Sequence, residues 1–104
     1  MKIFNHHIYE FKKGLRNLVL CTLSLDDTLP AINKLYKYDI SNIVWEVSDN
    51  KVNIFFGNSE CIEVIKSFNK KSLTQLTSEE DFILGIMLGY DRLLQCKRYL
   101  ERKD

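Results

Sequence analysis

The sequence predicts an α+β fold. Its core is a three-stranded sheet in the order β-α-β-β-α, a ferredoxin-like arrangement lacking one strand, with an N-terminal helix before it and a long C-terminal helix after it. Three observations carry this prediction. Residues 18–23 are an unbroken apolar run of strand length, residues 43–56 read as a hairpin, and the chain after Thr77 reads as one helix. At 104 residues, 45% hydrophobic and 28% charged, residues 1–104 are expected to form a single domain around one core.

Residues 4–13 are expected to be helical, because Phe4, Ile8 and Phe11 recur on one helical face. Asn5 can cap the start and Gly14 can end it, although Tyr9, Ile8 and Phe11 would also suit a strand. Residues 18–23 (LVLCTL) read as a strand buried on both faces. A polar break at residues 24–28 follows, with Asp26, Asp27 or Thr28 as N-cap and Pro30 in the first turn of a helix. Ala31, Ile32, Leu35 and Tyr36 form the apolar stripe of that helix.

Residues 43–56 predict a two-residue turn at Asp49-Asn50. It would set Val47 opposite Val52, Trp45 opposite Ile54 and Ile43 opposite Phe56, all on one face. The third strand would lie between the first two, with helices on one face of the sheet. Residues 57–59 (GNS) stop the strand and start a helix with Cys61, Ile62, Ile65 and Phe68 as its apolar positions. Residues 72–76 predict a short helical turn. Thr77 and Glu80 then form a capping box for a helix of about 25 residues, roughly 37 Å long.

Residues 6–20 (HHIYEFKKGLRNLVL), with residues 79–85 (EEDFILG), 88–91 (LGYD) and Gln95-Cys96, resemble the bacterial domain-of-unknown-function family twenty twenty-three. The resemblance covers nearly the whole chain. It implies three strands with five helices and a homodimer. The family brings no activity, so no catalytic residue is carried over. It also implies an association with flavodoxins, which makes a flavodoxin-type redox protein a candidate partner and redox or iron physiology a candidate setting.

Charge excludes some functions. With 15 basic and 14 acidic residues the net charge is +1, without the basic excess of a nucleic-acid binder. Local clusters at Lys12-Lys13, Lys70-Lys71 and Lys97-Arg98 read as solvated faces or helix ends. The N-terminal residues lack an apolar core of signal-peptide length, and no apolar run spans a membrane. Cys21, Cys61 and Cys96 are odd in number and widely spaced, which fits reduced thiols and a cytoplasmic location.

The candidate chemical residues are few. Adjacent His6 and His7 point about 100° apart on a helix, so they do not pair on one metal, and no zinc spacing accompanies them. One packed and one exposed histidine is the structural reading. Cys61, in a first helical turn, has the best electrostatic position for a reactive thiol, but it also falls on the apolar stripe. Asp91 falls between Met87 and Leu84 on the helical wheel, where a buried carboxylate would need Arg98 or Arg16 as partner. No catalytic triad, P-loop or dinucleotide fingerprint is present, so no cofactor or metal is expected. Weak ligand-binding candidates are His6, His7, Arg16, Tyr90 and Asp91.

The C-terminal helix predicts self-association. Phe82, Ile83, Leu84, Ile86, Met87, Leu88 and Tyr90 make its first turns apolar nearly all round, with Gly85 and Gly89 in the remaining sector. A symmetric homodimer is therefore expected, with Phe82, Gly85, Ile86, Gly89 and Leu93 at its interface. Two readings follow: a non-enzymatic, homodimeric interaction protein, or a small enzyme or ligand binder using His, Asp, Arg and Tyr side chains near a dimer cleft.

Overall fold

The structure is a computed structural model that describes residues 1–103. Its elements in chain order are α1 (Lys2–Lys12), β1 (Leu18–Ser24), α2 (Leu25–Lys37), β2 (Ser41–Ser48), β3 (Lys51–Gly57), α3 (Ser59–Ser67), a 3-10 turn (Leu73–Gln75), α4 (Ser78–Met87) and α5 (Arg92–Arg102). The strands form one sheet in the order β1-β3-β2, antiparallel at both pairings. The expected class, the N-terminal helix and the central third strand are all present.

Two helix starts differ from expectation. Helix α1 begins at Lys2 without a side-chain cap, and Asn5 lies inside it, accepting a 2.6 Å bond from Lys34 Nζ. Helix α2 leaves β1 directly from Ser24, so Asp26 and Asp27 occupy its first turn, where carboxylates complement the helix dipole. Pro30 therefore sits in the second turn and not the first, on the exposed side, where it takes away the N–H that Asp26 would have bonded.

The hairpin turns at Asp49-Asn50 as expected, with Ser48 opposite Lys51. A bulge at Val47 then moves the register by one residue. Trp45 opposes Asn53, Val44 opposes Ile54 and Ile43 opposes Phe55, so the predicted Trp45–Ile54 pair does not form. The six apolar residues divide between faces. Val52, Ile54 and Phe56 pack with Phe4, Ile8, Ala31 and Leu35, whereas Ile43 and Trp45 join Phe55 against Ile62, Ile65, Leu84 and Leu88. Val47, held in the bulge, is 53% exposed.

Helices consequently cover both faces of the sheet, not one. The physical reason lies in β1 and β3, whose consecutive apolar residues point both ways and need a layer on each side. On the first face Phe4 and Phe11 meet Phe56 edge-on, with ring centroids 5.4 and 6.4 Å apart. On the second, Trp45 meets Phe55 at 4.8 Å. The one buried polar side chain among the core strands, Asn53, accepts from Thr22 Oγ1 at 2.6 Å across the β1–β3 pairing.

The predicted long C-terminal helix is two helices. Thr77 and Glu80 form the expected capping box, with reciprocal bonds of 3.1 and 2.9 Å. Helix α4 then stops at Met87. Gly89, at φ +80°, donates to the Ile86 carbonyl and Tyr90 to the Gly85 carbonyl, which is a Schellman close. Asp91 starts α5, its carboxylate accepting from the Leu94 N–H at 2.9 Å. Helix α5 then folds back along α4.

Candidate functional site

Helix α1 and the turn before β1 bring three predicted residues into one group. Arg16 Nη1 lies 3.1 Å from His7 Nδ1. An arginine only donates, so this contact is a hydrogen bond when Nδ1 carries no proton. The Glu10 carboxylate lies 3.5 Å from His7 Nδ1 and 3.8 Å from both Arg16 Nη1 and His6 Nε2. His7 is mostly covered and His6 largely exposed, with side-chain exposures of 23% and 69%. The group therefore sets a half-buried arginine that can meet an anion beside an imidazole ring.

Arg16 also lines a cleft of about 430 Å³ against the α4–α5 turn, where Gly89 and Tyr90 form the opposite wall. The structure thus brings Arg16 and Tyr90 together. It leaves Asp91 outside, as the exposed N-cap of α5. The expected buried carboxylate on a continuous helix is not there, because α4 ends four residues earlier, at Met87.

The hairpin of α4 and α5 presents a different kind of surface. Helix α5 buries no residue, yet Leu93, Leu94 and Leu100 on it are 64%, 60% and 69% exposed. A groove of about 470 Å³ runs between the two helices, walled by Phe82, Ile83, Cys96, Tyr99 and Leu100. Of the predicted interface residues, Leu93 is exposed and Phe82 and Ile86 are half-buried. Gly85 does not form an open small-residue sector with Gly89. A Cβ there would lie 2.0 Å from Gln95 Oε1, so Gly85 admits α5 of its own chain, while Gly89 closes the turn.

The sequence reading did not find what fastens α5. Asp81 on α4 accepts from Arg98 Nε at 2.8 Å and Arg98 Nη2 at 3.1 Å, and pairs with Arg102 Nη1 at 2.8 Å. The Arg98 hydrogen bond, against partial burial, holds the Asp81 carboxyl below its ordinary range. Tyr99 stacks obliquely on Phe82 and donates to Glu79, which also pairs with Lys103. The available signal was the pair Arg98 and Arg102, four residues apart on one helical face.

Cys61 is not an activated thiol. Burial, and secondarily Glu60, pushes its pKa up, and burial also raises that of Cys21. Among the described residues no group of three or more histidines, cysteines and carboxylates is placed to hold a metal, and no helix is long and apolar enough to cross a membrane.

A family model described as "Protein of unknown function (DUF2023)" matches residues 2–102. No curated protein matches the chain.

Proposed function

The chain belongs to the DUF2023 family, and from that premise we propose that it is a non-enzymatic interaction protein acting as a homodimer joined through its α4–α5 hairpin. One observation carries this: no residue of α5 is fully buried within its own chain, and the helix carries three leucines at 60% exposure or more beside an apolar groove. Exposed apolar area of this kind beside a groove marks a protein contact.

The occupant we assign is a second copy. Leu93 and Leu100 lie within about 20° of each other on the wheel of α5, and Lys97 and Glu101 share one flank of that strip. A twofold axis between antiparallel copies keeps each flank on its own side. Lys97 and Glu101 of both chains then line the same side of the contact, with opposite charges available along it. The three widely spaced cysteines favour the cytoplasm as the setting, and the family resemblance adds a bacterial source and a flavodoxin-type redox protein as second partner. The second reading, a small enzyme or ligand binder, has the His7–Arg16 contact and the Arg16–Tyr90 cleft in its favour.

Sedimentation at micromolar concentration tests the proposal, with an expected mass about twice the 12.3 kDa of one chain. The double variant Leu93→Glu/Leu100→Glu should sediment as a single chain with an unchanged far-ultraviolet spectrum, since both side chains are exposed. A wild-type species of single-chain mass at high concentration overturns the reading.

A further inference from the structure

On the opposite face of the sheet, α1 and the C-terminal end of α2 flank an open groove of about 480 Å³. Lys12, Lys13 and Lys34 line it with Tyr9 and Tyr38, and no carboxylate does. Lys12 Nζ stands 3.9 Å from the centre of the Tyr38 ring, Lys13 Nζ 5.5 Å from that of Tyr9, and Lys37 Nζ 5.8 Å from that of Tyr38. Among the described residues, the ion pairs use Arg16, Lys66, Lys70, Arg98, Arg102, Lys103 and the histidines, and none of these four lysines.

The helix dipole accounts for cations in last turns, and Lys12, Lys34 and Lys37 are in last turns. It does not account for their convergence from two helices on one concave space, nor for tyrosines at its walls. Lys12 and Lys13 rest on aromatic faces, which hold an exposed cation weakly, and Lys34 donates only to the neutral Asn5 side chain. A phosphate draws them off more strongly, and the rings they leave are then free to stack on a flat base.

We propose that the groove between α1 and α2 binds a nucleotide, with its phosphates on Lys12, Lys13 and Lys34 and its base against Tyr9 and Tyr38. The groove falls within the roughly 300–1,000 Å³ usual for small-ligand sites. Its size and the net charge of +1 favour one nucleotide over a polymer. This site is on the other face from the hairpin and does not depend on the dimer.

Calorimetric titration of the full chain with ADP at about 50 mM salt tests it. One-to-one binding tighter than about 1 mM is expected, weakened at least about tenfold by Lys12→Gln/Lys34→Gln and unchanged by Lys66→Gln, which lies on α3. Thermal melting of the double variant checks that it stays folded. The assignment is overturned if ADP gives no heat up to about 5 mM. It is also overturned if the double variant binds as wild type does, or if pyrophosphate binds as tightly as ADP.

Discussion

Replacing Asp81 by Asn removes the charge that fastens α5 while keeping the side chain's shape. Two charge-assisted hydrogen bonds from Arg98 and an ion pair with Arg102 converge on this carboxylate, whose side chain is 17% exposed, with Arg98 at 55% and Arg102 at 35%. Bonds to charged groups contribute about 1.5–3 kcal/mol each when buried, and exposed pairs about 0.2–1 kcal/mol. The exposure of both guanidiniums puts the sum near the lower range, at about 1–2 kcal/mol. Because α5 buries no residue, that loss falls on local opening of the hairpin and not on global unfolding. Amide hydrogen exchange at pH 7 should therefore accelerate about 5–30-fold in α5 while β3 is almost unchanged.

The pH dependence has a definite sign. The native carboxyl is held below its ordinary value, so its contribution is fully present above about pH 4. It disappears as pH falls through the lowered native value. Protection of α5 in the wild type should then approach that of Asp81→Asn. Equal exchange in α5 of the two proteins at pH 7, or equal acceleration throughout the sheet, refutes the reasoning.

Gly57→Ala should be costly for a different reason. Gly57 has φ +152°, and a Cβ would lie 2.2 Å from the Asn17 carbonyl oxygen and 2.9 Å from Leu18 Cα, both backbone atoms. A loss of about 3 kcal/mol in urea unfolding is expected, and a loss below about 1 kcal/mol would show that β1 can move away. Trp45→Ala should cost about 3–5 kcal/mol, and a double-mutant cycle with Phe55→Ala should give a coupling of about 0.5–1.5 kcal/mol from the ring pair 4.8 Å apart. Additive effects at Trp45 and Phe55 would contradict the observed register.

Much of the fold was legible because its signals are local. The Thr77–Glu80 box, Gly14 at the end of α1 and the Asp49-Asn50 turn depend on residues a few positions apart. The misreadings concern competition between nearly equal local patterns. The Val47 bulge leaves the turn intact while changing every pairing beyond it, and no residue type at Val47 announces it. The helix break at Gly89 was legible in principle, since Asp91 stands three residues before Leu94 as an N-cap should. The apolar periodicity running through residues 82–94 concealed it. The grouping of His7, Glu10 and Arg16 was half visible. Helical spacing brings His7 to Glu10, but the chain reversal that delivers Arg16 is tertiary. The lysine groove was invisible because Lys12 and Lys34 come from helices separated by a whole strand.

The middle strand has consequences for how the molecule can change. Between Val52 and Gly57 every residue of β3 is buried, alternate side chains belonging to separate apolar clusters. The sheet backbone therefore acts as a partition, with Ile54 and Phe56 on one side and Trp45 and Phe55 on the other. Substitutions that share no partner add independently. A change that reshapes the packing under α1 and α2 need not disturb the packing under α3 and α4. Surfaces carried by the two sides can thus diverge separately in related chains, each tolerating its own substitutions while the ladder between them stays the same.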